Sequence, residues 1–144
     1  MNSITKSLRG VAALLTVAAV VVSMSSNTFA QVKPKGKPWP APETAVKMKN
    51  PVKSDDASIK EGKDLYAQHC KSCHGAKGLG DGTKAEKIDI SCGDFSSAET
   101  AKATDGELYW KTTEGRKPMP SFKEKLSDNE RWSIINFMRT LAKK

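Results

Sequence analysis

The chain has 144 residues, a formal net charge of +8 and an apolar content of 38%. That content is uneven, with 17 apolar residues among the first 30 and 37 among the remaining 114. The larger part holds at most one domain and is sparse in core-forming side chains, while three cysteines exclude a disulfide-rich scaffold, so a cofactor or metal is the expected staple.

Residues 1–30 read as a cleaved export signal. Lys6 and Arg9 form a positive start, Val11 to Val22 is apolar apart from Thr16, and Thr28-Phe29-Ala30 places small residues at −3 and −1 of a cleavage site. The apolar run from Val11 to Met24 is 14 residues, short of the span a bilayer requires. The mature chain is then expected to begin near Gln31, in a periplasmic or otherwise exported space, without stable membrane insertion. It keeps 22 basic against 16 acidic side chains. No nucleic-acid-binding signature accompanies that charge, and export argues against such a partner, so nucleic acid is not expected.

Residues 31–56 carry five of the seven prolines and six lysines. Proline fixes φ and removes a donor, which predicts an extended arm without regular structure, on which Trp39 and Met48 have the chance to dock. Residues 57–144 form the folded domain. Ser58-Ile-Lys-Glu61 reads as a capping box opening a helix to about Cys70, with Ile59, Leu65 and Tyr66 on it. Thr104-Asp-Gly-Glu107 opens a second helix, ended by Gly115. Ser127-Asp-Asn-Glu130 opens a third, in which Ile134, Ile135, Met138 and Leu141 recur at helical spacing. Gly75, Gly78, Gly80 and Gly82 mark a loop between the first two. No stretch alternates long enough for a strand, so an all-α domain is predicted.

The segment Cys70-Lys71-Ser72-Cys73-His74 carries the chemistry. C-x-x-C-H is the attachment sequence of c-type haem. Two thiols three positions apart bond the two vinyl groups of one porphyrin, and the histidine that follows is held beneath the iron as its proximal ligand. A thioredoxin-like C-x-x-C wants a βαβ setting, which is missing from the pattern. A zinc site wants four ligands, and beyond this pair only Cys92, His69 and His74 are candidates.

With these residues in view, the chain resembles the small monohaem class I cytochromes c of bacteria. The resemblance runs from about Ser58 to Leu141. It rests on the Gly62/Tyr66 helix before Cys70, the loop GAKGLGDG after His74, the helix TDGELYWKTTEG, the Pro118-Met119-Pro120 turn and the final helix RWSIINFMRTL. It implies three to four helices wrapped around one covalent haem c. It also implies crossing first and last helices, with Gly62 at the close approach and Tyr66 and Phe137 filling the crossing. The family commonly has a proline whose carbonyl orients the proximal histidine. None occurs between Gly75 and Arg116, so which carbonyl serves His74 is left open.

Three methionines compete for the sixth iron position after export. Met138 falls among core positions, and nothing fixes Met48 in the arm. Met119 lies between two prolines that stiffen a turn, 45 residues beyond His74, and the resemblance also points to it. His69 is rejected because it adjoins Cys70 at the ring periphery. Cys92, flanked by Ile88 and Ile90, is expected to be buried.

With His74 and Met119 as iron ligands and Cys70 and Cys73 as thioether anchors, the expected function is one-electron transfer rather than catalysis. Leu108, Trp110 and Phe122 are expected around the ring. Lys71, Lys77, Lys84, Lys87, Arg116, Lys117 and Lys123 are expected to steer a monomeric carrier to an acidic redox partner. Such a partner would be a membrane quinol-oxidising complex, a terminal oxidase or a periplasmic reductase. The alternative is a haem domain with an open sixth position, acting in small-ligand sensing or peroxide chemistry.

Overall fold

The structure, a computed structural model, describes residues 33–142; the expected export signal lies outside the described residues. Six helices follow in order: α1 (Glu43–Val46), α2 (Asp56–His69), α3 (Lys71–His74), α4 (Ala98–Lys102), α5 (Asp105–Glu114) and α6 (Asp128–Leu141). A 3-10 turn covers Ala85–Lys87. Among the described residues the only extended pairing is an isolated bridge between Arg116 and Met119. None of the described helices is long and apolar enough to cross a membrane.

Two of the three helix starts follow the sequence signals. Thr104 accepts from the Glu107 amide at the head of α5, and Ser127 and Glu130 form a reciprocal box at the head of α6. The start of α2 differs. Asp55 is its cap, accepting from the Ser58 amide at 3.0 Å, while the Ser58 hydroxyl accepts from the Asp55 amide at 3.2 Å. Ser58 is therefore the third helical residue rather than the cap. Glu61, expected to close the box, instead accepts from the Ser133 hydroxyl on α6 at 2.7 Å. A long-range partner took the side chain that the local motif had claimed.

The core is the crossing of α2 and α6. A Cβ on Gly62 would overlap the Ser133 carbonyl, so only glycine permits this approach. Tyr66 and Phe137 pack beside it with ring centroids 5.1 Å apart. Ile134 and Ile135 are almost fully buried, each worth about 1.5–3 kcal/mol relative to exposure. Tyr109 of α5 stacks on Trp132 of α6 at 3.9 Å, which attaches the third long helix.

The arm is not a structureless tether in its described part. Residues 43–46 are helical and Ala45 is buried against α5, where a Cβ on Gly106 would overlap the Ala45 carbonyl. Thr104 donates to the Val46 carbonyl at 2.9 Å, and the Asn50 amide donates to Asn136 at 2.8 Å. Proline excluded long helices and ladders here, but side chains and carbonyls from distant segments supply the missing partners.

Candidate functional site: an apolar cavity around Cys70, Cys73 and His74

Cys70 closes α2, and its carbonyl accepts from the amides of Cys73 at 3.1 Å and His74 at 3.0 Å. The motif therefore coils into α3, which sets the two thiols three positions apart on one turn. Gly75 ends this turn at φ 80°, where a side chain would meet the Asp81 carboxylate. The buried Tyr66 hydroxyl donates to the Gly75 carbonyl at 2.7 Å, which ties the turn after His74 to the core helix.

The ring of His74 stacks on Phe95, with centroids 4.6 Å apart and planes at 24°. Its Nδ1 is buried and has no partner of normal hydrogen-bond geometry. Burial holds the imidazole below its ordinary pKa, so the neutral, metal-binding form is favoured. The main chain of Cys92 opposes that shift, which brings this residue to the place where the sequence lacked a proline carbonyl. Cys92 itself is half-buried rather than enclosed, because it lines the cavity together with Ile88 and Ile90, which are also half-buried.

Burial, followed by the neighbouring Cys73, pushes the Cys70 thiol up to about 12. A thioredoxin-like redox centre wants a βαβ setting, and the described residues hold helices and one isolated bridge, so that chemistry does not fit. Among the described residues, no three His, Cys, Asp or Glu side chains gather as a metal cage, and the zinc reading has no ligand set.

Cys70, Cys73, His74 and Met119 all line one cavity of about 690 Å³. Tyr66, Phe95, Leu108, Phe122, Ile134 and Met138 supply apolar walls. The volume lies in the range of cofactor pockets, about 300–1,000 Å³. Two thiols and a neutral buried imidazole at the wall of an apolar space form the donor set that attaches a c-type haem, and the Met119 thioether lines the same space. The residues fit the group.

Several expected neighbours are placed differently. Leu108 and Phe122 line the cavity; Trp110 does not, and packs against Trp39 of the arm instead. His69 is exposed at the cavity edge, its ring edge-on to Phe122 at 6.0 Å. Met138 is buried and Met48 is 41% exposed outside the cavity. Of the expected lysine and arginine ring, only Arg116 borders the cavity, which Lys35, Lys37, Lys102 and Lys111 border instead. Residues 35–39 had no place in a site read from the sequence; a tryptophan among prolines was their one visible signal.

A helical domain that presents C-x-x-C-H to an apolar cavity is a c-type cytochrome domain. The family described as cytochrome c oxidase, cbb3-type, subunit III matches residues 57–138, and the chain belongs to that family. No curated protein matches the sequence. Among solved structures, a chain of the Kuenenia stuttgartiensis reducing HAO-like protein complex Kustc0457/Kustc0458 is similar at 30% identity and a TM-score of 0.60, covering 74% of this chain. The present chain spans about half of that one, 53%. The KustC0563 c-type cytochrome is similar at 34% identity and a TM-score of 0.50, covering 57% of this chain and 98% of that one.

Proposed function

We propose that the protein is an exported one-electron carrier whose haem is bonded to Cys70 and Cys73 and ligated by His74 and Met119. The observation that carries this reading is the convergence of these four side chains on one apolar cavity. The division into an export signal over 1–30, an arm over 31–56 and a haem domain over 57–144 belongs to the same reading.

Haem c supplies a one-electron couple at its iron. The protein supplies the rest. Cys70 and Cys73 fix the position of the ring through the shared turn of α3. His74 is oriented by the Phe95 stack, with the Cys92 main chain near its ring. Leu108, Phe122 and Ile134 exclude water, which disfavours added charge on the oxidised centre and raises the potential. The Met119 thioether, a soft ligand, acts in the same direction and leaves no place for a substrate. Lys37 and Lys102, exposed at the cavity border, suit an acidic redox partner met transiently.

The test is spectroscopic. The oxidised protein should show the weak near-infrared charge-transfer band of sulfur-ligated ferric haem, and the reduced protein should be inert to carbon monoxide. Met119→Ala should abolish the band, admit carbon monoxide and lower the potential while the thioethers persist. A parent protein that lacks the band and binds carbon monoxide readily would establish the open-position reading instead.

A further inference from the structure

The arm meets the cavity at both of its ligand-bearing segments. On the His74 side, the Lys33 ammonium donates to the carbonyls of Ala85 and Ile88, both at 2.5 Å, and the Ser91 amide donates to the Pro34 carbonyl at 3.0 Å. This is the loop that brings the Cys92 main chain to His74. Lys35 is paired with Glu99. On the Met119 side, Arg116 donates to the Pro38 carbonyl at 3.1 Å, and its guanidinium lies 4.7 Å from the centre of the Trp39 ring. Its further neighbours are Trp110, 5.9 Å away at 58°, and the Lys111 ammonium, 5.9 Å from the ring centre. Residues 33–39 thus run along the cavity as a strap from one ligand-bearing segment to the other.

The grip on Arg116 matters because of how Met119 is held. The amide of Arg116 donates to the Met119 carbonyl at 3.0 Å, and the Met119 amide donates to the Arg116 carbonyl at 2.9 Å. These two bonds close the turn upon itself, and Lys117 and Pro118 at its tip and Pro120 just after it are exposed. Downstream, the turn is fastened to the domain by buried Phe122 and by Ser121, whose hydroxyl donates to the Thr113 carbonyl at 2.6 Å. Upstream, the guanidinium of Arg116 grips Pro38 and Trp39, both in the strap. We propose that Trp39 is a positioning residue for the distal ligand: gripped between Trp110 and Arg116, it holds the Met119 turn so that the thioether stays on the iron. The proposal rests on Met119 being that ligand.

A cation over an aromatic face and a tilted aromatic pair each contribute about one to two RT. Loss of both should raise the population with a displaced thioether about tenfold, equivalent to about 1.4 kcal/mol. The experiment compares the full-length holoprotein with Trp39→Ala, Trp39→Phe, Arg116→Gln and Met119→Ala. In Trp39→Ala the charge-transfer band should weaken and carbon monoxide should bind the reduced protein about tenfold faster, with the thioether spectrum unchanged. Trp39→Phe, which keeps an aromatic face, should restore most of the parent behaviour. Arg116→Gln, which keeps the main chain of the turn, should reproduce a smaller part of the loss and decides the matter if Trp39→Ala does not fold. A fall in melting temperature with band and carbon monoxide inertness unchanged in both variants overturns the proposal and makes the strap packing alone. Met119→Ala separates the two readings: if it behaves as the parent does, the ligand assignment fails, and the strap proposal fails with it.

Discussion

On the His74 side of the cavity, five consecutive residues carry both thiols and the imidazole, and one turn of helix orients all three. On the Met119 side a single thioether sits on an exposed four-residue turn, closed by two main-chain bonds and fastened by residues far along the chain. Arg131 is the strongest of those fasteners. Its buried guanidinium donates to the carbonyls of Phe122, Lys123 and Leu126 at 3.2, 2.9 and 2.8 Å, and to the Tyr109 hydroxyl at 3.0 Å. It also pairs with Asp128. The difference teaches that one half of a binding site can be a local property of sequence while the other half is a property of the assembled fold.

Removing the local half should have the largest effect. A Cys70→Ser, Cys73→Ser double variant should yield no folded holoprotein, because the apolar cavity walls then close on nothing and the whole margin of about 5–15 kcal/mol is at stake. Haem staining and far-ultraviolet circular dichroism of the exported fraction measure this. A cooperative, helical apoprotein would show that the fold is independent of its cofactor.

Removing the main fastener of the other half comes next. Arg131→Ala leaves a set of buried acceptors unpaired and should cost about 3–5 kcal/mol in urea unfolding of the holoprotein. The charge-transfer band should weaken with it, since the carbonyls that Arg131 holds follow directly after the Met119 turn. The thioether spectrum should be untouched, which would separate the two sides of the cavity experimentally.

The helix crossing serves both sides and should respond to both. Gly62→Ala forces a Cβ into the Ser133 carbonyl and should cost about 1–3 kcal/mol, read from the same unfolding curves. Met138→Ala, a truncation in the core, should cost about 2–5 kcal/mol without opening the sixth position. Met48→Ala should change neither stability nor ligation. These three variants sharpen the comparison because only Met119→Ala is expected to alter the iron spectrum outright.

The smallest effect concerns the rim. Charge reversal at Lys37 and Lys102, which border the cavity, should slow association with an acidic redox partner and flatten its dependence on salt. Reversal at Lys60 and Lys63 on α2, which do not border it, should do neither. Stopped-flow rates across ionic strength provide the measurement, and equal effects from both pairs would reduce the lysines to general surface charge.

The haem attachment segment was legible because its chemistry needs five adjacent residues. The starts of α5 and α6 were legible because each cap bonds within one turn. The start of α2 was misread by one turn, since Asp55 and Ser58 also form a capping pair and Glu61 had a partner 72 positions away. Trp110 was likewise expected beside the ring, and its long-range partner Trp39 holds it against the arm instead.

The sequence by itself therefore determined an all-helical domain and its haem chemistry, both of which depend on short spacing, while the Gly62 crossing was legible only through the family resemblance. Tertiary structure alone decided that the arm packs as a strap, that the Cys92 main chain faces His74, and that Lys35, Lys37, Lys102 and Lys111 border the cavity. Those outcomes join segments separated by tens of residues. Their partners are carbonyls and ring faces, which every residue of the right type offers equally until folding brings one of them within bonding distance.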